Sequence, residues 1–590
     1  MPRSRSHPSL PFNARKGLFV ALFALLLILD AGAQEVGDGG SLPSSALVRT
    51  QVYGESLGGR PLRAVVVMAG EPSLRDRQGL LIVGTLDGRR VGDHRVLAAA
   101  LERVLATDGL AERLGDRALV FVPVANPDGL ALETLGSNRG PLPVEGNRRS
   151  DDADRDGRVD EDGPADLDGD GRITWMRVPD GKGEWVIDEH DPRAMRKARV
   201  ERGERGTHTL RREGVDDDRD GAWHEDDAGG VILNENFPHG WDEHSARAGA
   251  YPLSEPESRA LVDLVLRHPG LLGVVVLGEE DTLGSLPPKA KKVDKGGFGG
   301  FRSPLDGVLE ADVKTLEEIQ RRFKEVGEHE HDVEGDGPQA GGFLAWSYHQ
   351  AGRWPLALRP WATPEKIEKP EPEEGEDADE DGGDKDGDKT GDKKKDKDED
   401  GPTSDKDSPV SAAVLSWLDV HREGAGIAAW TPFEHPELGS IEIGGLTEEA
   451  VLTAGRKTEE VQALAEKLGD TLVEALDWMP ALALEDVETT DHGDGLYTVE
   501  LALVNTGVLP TCPQFAADAR IARPIRVRLQ LPPGVERLNG PAQVLVNRLD
   551  GGGGRREFRW LIGGANAGTS LTLSADADTV PSLSEEIVLP

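Results

Sequence analysis

The first third of the chain alternates between short apolar runs and one amphipathic stretch. Leu62–Met68, Leu80–Val83 and Ala118–Val124 are short and bounded by turn residues, which is typical of buried strands. Between the last two, apolar side chains recur at helical spacing from Gly92 to about Ala106. This order predicts an α/β sheet with helices on its faces. Open α/β folds place their chemistry where strands end, so the turn after Leu80–Val83 is the first candidate site.

The hydrophobic pattern changes twice in the second half of the chain. Glu365 to about Pro409 consists mainly of Lys, Asp, Glu and Gly, and it has too little apolar surface to offset the entropy of ordering. We therefore expect this segment to be disordered. Helical periodicity then returns and ends in a long amphipathic helix, Arg456–Trp478. From Leu482 to Pro590, short alternating strands separated by Gly and Pro turns predict an all-β sandwich.

The N-terminus has the features of a secretory signal. Basic residues precede the apolar run Gly17–Leu29, and Ala31–Ala33 forms a small-residue cleavage site. The run is short for a membrane span, so we expect cleavage and a secreted, periplasmic or cell-surface protein with no membrane span; an uncleaved anchor is the alternative. The expected domains are 1–33 (signal), 34–363 and 410–481 (one α/β domain), 364–409 (disordered linker) and 482–590 (sandwich).

Charge and cysteine content narrow the classes of partner. The formal net charge is −40, which argues against nucleic acid and suits divalent cations. Cys512 is the single cysteine, so an intrachain disulfide is excluded and stability must come from core packing or bound ions.

Three Asp-rich loops predict calcium sites. In each loop, carboxylates at alternate positions precede a Gly, as in the first half of a calcium-binding loop. The expected ligands are Asp152, Asp154 and Asp156; Asp166, Asp168 and Asp170; and Asp216, Asp218 and Asp220. The twelfth position, where a bidentate Glu is usual, holds Gly163, Arg177 and Asp227, so Glu161 or Glu225 would have to substitute. A solvated acidic insertion is the alternative.

Four motifs in a fixed order resemble those of the zinc carboxypeptidase family (carboxypeptidase A-like). They are Asn126–Gly129, Gly146–Arg149, Leu233–Pro238 with Trp241, and Pro252–Glu257. The resemblance covers roughly Val52 to Pro480 and implies a carboxypeptidase-like mixed sheet flanked by helices. Ser254 to Glu257 also has the spacing of a capping box, which predicts a helix with Ser254 as its N-cap.

The same resemblance places the family's site residues on unsuitable side chains. The three zinc-ligand positions fall on Asp87, Arg90 and Gly278, and the general base falls on Arg359. The carboxylate-binding Arg falls on Glu235, beside the retained substrate-binding Asn234; the oxyanion-stabilising Arg falls on Glu145 and the substrate-facing Tyr on Gly337. A guanidinium stays protonated and cannot ligate zinc, so loss of the zinc is expected.

The sequence therefore predicts a secreted, calcium-stabilised pseudo-peptidase that binds a peptide or protein without cleaving it. One alternative is an active metallocarboxypeptidase that uses shifted ligands such as His329, His331 or Glu279. His331 to Glu334 has the His-x-x-Glu spacing, although a solvated loop is the ordinary interpretation of that segment. The other alternative is a structural, calcium-dependent surface protein.

Overall fold

The computed structural model describes the following residues: 47–70, 73–130, 144–150, 157–159, 163–217, 219, 221, 223–224, 229–290, 307–326, 338–361, 367, 408–447 and 458–590. The expected signal lies outside this range, as does nearly all of the expected linker. No helix in the described part of the chain has both the length and the apolar content needed to cross a bilayer.

The strands, in chain order, are β1 (Val48–Glu55), β2 (Pro61–Met68), β3 (Gln78–Val83), β4 (Arg117–Val122), β5 (Trp175–Pro179), β6 (Trp185–Ile187), β7 (Met195–Lys197), β8 (His208–Arg212), β9 (Leu271–Leu277), β10 (Trp354–Leu358), β11 (Ile427–His435), β12 (Gly439–Leu446), β13 (Leu482–Asp491), β14 (Tyr497–Asn505), β15 (Ile525–Gln530), β16 (Glu536–Asn539), β17 (Gln543–Val546), β18 (Gly554–Gly563), β19 (Ser570–Ala577) and β20 (Val580–Val588). The α-helices are Val91–Leu105, Leu110–Leu114, Pro127–Leu130, Pro256–Arg267, Glu310–Val326, Phe343–His349, Ala412–Arg422, Thr458–Trp478 and Gln514–Asp518.

A central mixed sheet carries the candidate site. Its strand order is β1-β2-β4-β3-β9-β10, with β4, β3, β9 and β10 parallel and the β1 and β2 pairings antiparallel. Side chains of β3 alternate between two cores, because Leu80 and Ile82 lie on one face and Leu81 and Val83 on the other. Helices cover both faces. This arrangement confirms the predicted carboxypeptidase-like sheet.

A second six-stranded sheet was not predicted. Its order is β11-β12-β5-β8-β6-β7, so strands from the Asp-rich insertion pair with a hairpin that follows residue 408. Glu442, Ile443 and Gly444 of β12 pair with Arg177, Met176 and Trp175 of β5. Residues 410–481 therefore contribute to two parts of the structure. The hairpin β11–β12 completes the second sheet, and the helix Thr458–Trp478 packs on the helix Val91–Leu105 of the central domain.

The C-terminal region forms two antiparallel sheets around one apolar core, which confirms the predicted sandwich. Their orders are β13-β14-β18-β16 and β17-β15-β19-β20. The sandwich is joined to the α/β domain by buried contacts: Gln78 donates to the carbonyls of Pro480 and Thr579 at 3.0 and 2.7 Å. Phe515 also stacks on Tyr348, with ring centroids 5.1 Å apart.

The capping-box prediction was wrong in detail. The helix begins at Pro256 with Glu255 at the N-cap, and no side chain caps it. Ser254 Oγ donates instead to Glu255 and accepts from Asn236 Nδ2, at 2.8 and 3.0 Å. The Ser254 hydroxyl thus stabilises the turn at Asn236 and does not cap the helix.

Candidate functional site

The positions that the resemblance gives for the zinc ligands and the general base lie at the carboxyl edge of the central sheet, the edge where β3, β9 and β10 end. Asp87 and Arg90 lie in the turn after β3, Gly278 directly follows β9, and Arg359 directly follows β10. The Gly278 N–H donates to the carbonyl of Leu358 at 3.2 Å, which continues the β9–β10 pairing to this point. The four positions that were assigned from the motif resemblance therefore lie at the same edge of the sheet.

Close backbone packing fixes the turn that carries Asp87 and Arg90. A Cβ on Gly88 would lie 2.3 Å from both the Gly129 carbonyl carbon and the Val144 oxygen, so a side chain does not fit there. The Asn126 amide donates to the carbonyls of Glu145 and Gly146 at 3.1 and 2.9 Å. These contacts explain physically why the turn needs Gly88 and the Asn-Pro-Asp-Gly motif.

Arg90 occupies the second zinc-ligand position as one member of a buried ion pair. Its Nε lies 3.0 Å from Asp93 Oδ2, one helical turn further on. Arg90 and Asp93 are only 5% and 3% exposed. The guanidinium is thus held in place by a carboxylate, and its positive charge lies where the resemblance would place a metal-binding Glu.

A chain of ion pairs runs outward from Asp87. Arg89 Nη2 lies 3.0 Å from Asp87 Oδ2 and 3.0 Å from Glu145 Oε1, and Glu145 Oε2 lies 3.0 Å from Arg247 Nη1. Burial raises the pKa of the Glu145 carboxyl, which Arg89 and Arg247 counteract. The carboxylate of Asp87, the one mapped position that could ligate zinc, is therefore committed to Arg89.

The general-base position cannot supply a base. Arg359 Nε donates to the carbonyl of Trp361 at 3.2 Å, and its charge acts on the nearby carboxyl of Asp281. Burial raises the pKa of Asp281 to about 6, against the opposing effect of Arg359. One oxygen of Asp281 accepts from the Gly284 N–H at 2.6 Å, so this carboxyl is held by its own loop.

These residues do not fit a catalytic zinc ion. Such an ion needs three protein ligands, whereas Gly278 has no side-chain donor and Arg90 brings positive charge. Within the described ranges, the one group of His, Cys, Asp or Glu side chains close enough to share a metal is Asp166, Asp168 and Glu213, outside this edge. The shifted-ligand candidates His329 and His331 lie outside the described residues, as does Gly337; Glu279 is described and exposed.

The two mapped substrate-binding residues have different roles. Asn234 Oδ1 accepts from the Phe343 N–H at 3.0 Å, so the amide ties a loop to the start of the helix Phe343–His349. Glu235 Oε2 accepts from the Ser245 hydroxyl at 3.0 Å and is half-buried. Position 235, where the resemblance would place the family's carboxylate-binding Arg, therefore carries a carboxylate.

The second Asp-rich loop brings two of its three expected ligands together and adds an unexpected one. Ligand oxygens of Asp166, Asp168 and Glu213 lie within 4.8 Å of one another, while Asp170 accepts from the Arg172 N–H instead. Glu213 is fully buried at the end of β8 and also accepts from the N–H groups of Leu167 and Thr174, at 2.6 and 2.9 Å.

The third loop shares part of this geometry. Asp166 accepts from the N–H groups three and five residues later, and Asp216 accepts from Arg219 and Gly221 in the same pattern. Asp218 and Asp220 lie outside the described residues, as do Asp152, Asp154 and Asp156 of the first loop and the substitutes Glu161 and Glu225.

Sequence reasoning missed Asp93, Arg247 and Glu213. Asp93 could have been found, because it follows Arg90 by three residues in a helix and such pairs face each other. Arg247 and Glu213 carried no local signal, since each meets its partners through tertiary contacts.

Comparisons with known proteins agree with the motif resemblance. A family model described as zinc carboxypeptidase matches residues 43–363, more than half of the chain. A second model, described as a domain of unknown function, matches residues 481–588. Comparison with curated proteins gives no match.

Solved structures of carboxypeptidases are similar at low scores. Thrombin activatable fibrinolysis inhibitor is 14% identical, over 53% of this chain and 61% of that chain, with a TM-score of 0.29. Carboxypeptidase A from Helicoverpa armigera is 14% identical, over 58% and 70%, at 0.32. A metallo-carboxypeptidase from Burkholderia cenocepacia is 13% identical, over 58% and 59%, at 0.29. The chain thus spans about three fifths of the first and last of these proteins.

Proposed function

Because the chain belongs to the zinc carboxypeptidase family, we propose that it is a non-catalytic member that binds a peptide or protein at the carboxyl edge of its central sheet. The buried Arg90–Asp93 pair carries this proposal. A fixed cation at a ligand position repels a metal ion, and the neighbouring carboxylate of Asp87 is already paired with Arg89. Arg359 at the general-base position would in addition leave no group to activate water.

The charge exchange also bears on the ligand. Family members of the usual kind hold a peptide's terminal carboxylate with Arg, whereas Glu235 would repel it. Specificity arises from such repulsion as much as from attraction. The ligand proposed for the carboxyl edge is therefore a protein surface or internal peptide segment rather than a free C-terminus.

Zinc content and hydrolysis test the proposal together. Purified protein should contain far less than one zinc per chain and should release no C-terminal residue from peptides, even after zinc is added. Stoichiometric zinc, with hydrolysis that disappears on chelation and returns on zinc addition, would establish the active alternative with ligands such as Glu279, His329 or His331.

We also propose that the protein is exported by residues 1–33 and stabilised by calcium at the Asp-rich loops. The clustered oxygens of Asp166, Asp168 and Glu213 support calcium as the ion, because hard cations prefer carboxylate oxygens. The bound ion would also relieve the repulsion among these carboxylates.

Chelation tests the calcium proposal. Removing divalent cations should lower the melting temperature, and added calcium should restore it, because a ligand that binds the folded state stabilises it. Asp168→Asn should reduce the calcium-dependent part of the shift, whereas Asp263→Asn, on an exposed helix face, should leave it unchanged. Identical melting with and without chelator would contradict the proposal.

A further inference from the structure

A pocket separate from the carboxyl edge lies beside the β1–β2 turn. It has a volume of about 400 Å³ and is formed by Leu57, Gly58, Arg60, Asp128 and the segment Asn147–Ser150. Gly129, next to Asp128, packs against Gly88 of the turn that carries Asp87. The pocket and the carboxyl edge are therefore neighbours that share backbone but not lining side chains.

Three guanidinium groups line this pocket, and each is held by a defined contact. Arg60 Nη1 lies 2.5 Å from Asp128 Oδ1, and Arg148 Nε donates to the Asp128 carbonyl at 2.7 Å. Arg149 Nε donates to Glu255 Oε2 at 2.9 Å. Arg148 also adopts a left-handed backbone conformation (φ 61°), which is uncommon for a residue with a side chain.

The carboxylates that bind these guanidinium groups are buried, and they also accept hydrogen bonds from other groups of the protein. Asp128 is 2% exposed and also accepts from the Gly58 N–H and the Ser56 hydroxyl, at 2.7 and 3.0 Å. Glu255 is fully buried and accepts from Asn147 Nδ2 at 2.6 Å. The acids therefore serve as anchors, while Arg149 remains 43% exposed at the pocket surface.

Guanidinium groups are concentrated at this pocket even though the chain is strongly acidic. Among the described residues, Arg60, Arg148 and Arg149 line the pocket, and the carboxylates of Asp128 and Glu255 anchor two of these guanidinium groups. A third carboxyl, Glu257, lies behind Asn147, and burial raises its pKa to about 7, so part of its negative charge is lost at neutral pH. In a chain with a net charge of −40, a cluster of guanidinium donors is a local feature that favours anions.

Guanidinium groups in fixed orientations suit one class of ligand. Their planar N–H pairs match the oxygens of carboxylates and phosphates, and prior orientation reduces the entropy lost on binding. The volume is within the range of small-molecule sites. We propose that the pocket formed by Arg60, Arg148, Arg149 and Ser150 binds a small oxyanion, either a phosphate group or a carboxylate.

Calorimetric titration of the full chain tests this proposal at constant ionic strength. The probes are inorganic phosphate, an N-acetylated tripeptide with a free C-terminal carboxylate, and the C-terminal amide of the same peptide. Saturable binding of phosphate or of the free carboxylate is expected, and the amide should not bind. Phosphate alone binding identifies a phosphate ligand, and the carboxylate alone binding identifies a peptide terminus.

Two variants assign the binding to this pocket. Arg149→Gln should weaken it roughly tenfold or more, because a hydrogen bond to a charged group is lost. Its control is Arg555→Gln, since Arg555 is equally exposed at 43% and is also ion-paired. Ser150→Asp leaves the anchoring pairs intact and adds negative charge at an exposed position, so it should weaken binding without changing the melting temperature.

Ser582→Asp, at an exposed position of the sandwich, is the control for Ser150→Asp. If none of the probes binds saturably, or if Ser150→Asp binds as tightly as the unmodified protein, the proposal is wrong. Zinc content and hydrolysis are measured independently, so failure here leaves the proposed non-catalytic function untouched.

Discussion

At the scale of single residues, Arg90 places a fixed positive charge at the carboxyl edge. A Glu at position 90 would offer a metal an anionic oxygen, whereas Arg90 offers a permanent cation. The exchange is compensated locally by Asp93, at 3.0 Å, which makes the guanidinium part of the fold. The pair that stabilises this edge is thus also the one on which the proposed absence of a metal rests.

Arg90→Ala should be strongly destabilising. Removal of the guanidinium leaves the Asp93 carboxylate buried without its cation, and such losses cost roughly 3–5 kcal/mol. Urea denaturation measures the change in the free energy of unfolding. Arg113→Ala breaks an exposed pair with Asp477 and should cost about 1 kcal/mol or less. Equal changes in the free energy of unfolding would mean that the buried pair stabilises the fold no more than the exposed pair does.

At the scale of elements, the helix Glu310–Val326 anchors the sandwich through its first turn. Asp312 is fully buried, and its carboxylate accepts from the N–H groups of Gln514 and Phe515 at 2.6 and 2.9 Å. It also accepts from the Tyr348 hydroxyl at 2.8 Å. One carboxylate therefore caps the short helix Gln514–Asp518 across the junction of the two domains.

Asp312→Ala should loosen this junction. Loss of a charged acceptor for two N–H groups and a hydroxyl should lower the free energy of unfolding by roughly 2–4 kcal/mol. The sandwich should also become more susceptible to limited proteolysis near residue 480. Asp263→Ala, which removes an exposed helix pair with Arg267, should change neither quantity appreciably. Unchanged proteolysis in Asp312→Ala would show that apolar contacts alone hold the junction.

Elements with a strong local pattern were predictable from the sequence, and the others were not. The buried runs of β3 and β4 and the helix near Val91 were found within a few residues, because their own apolar side chains show the pattern of burial. The second sheet was missed because β6 and β7 have three residues each and β5 pairs with a strand more than 260 residues away. At the carboxyl edge the sequence did not indicate Arg247, and in the second Asp-rich loop it did not indicate Glu213, because both residues reach their partners through tertiary contacts.

At the scale of the whole molecule, the balance of charge makes stability dependent on pH. The chain has 108 acidic and 68 basic residues, so its compact form is subject to self-repulsion at neutral pH. Glu257 adds a specific contribution, because burial, followed by the nearby charge of Asp128, raises its pKa from 4.5 to about 7. The folded state therefore holds this proton more tightly than the unfolded chain does.

Glu257→Gln should remove this contribution. In the unmodified protein, stability from this group falls as pH rises from about 4.5 to about 7, since the folded state must then lose a proton that it favours. The difference in unfolding free energy between protein and variant should change by roughly 1–3 kcal/mol across that window. Glu557→Gln, at an exposed carboxyl, should run parallel to the unmodified protein. A Glu257→Gln profile that also runs parallel would refute the assignment.

The pairing of β5 with β12 has a consequence for what happens when the chain is cleaved between these strands. The two strands are hydrogen-bonded across an interval that includes residues 364–409, so the halves on either side are attached to each other by the sheet as well as by the peptide backbone. A protease cut between residues 364 and 409 would then yield two fragments that stay associated through this strand pairing.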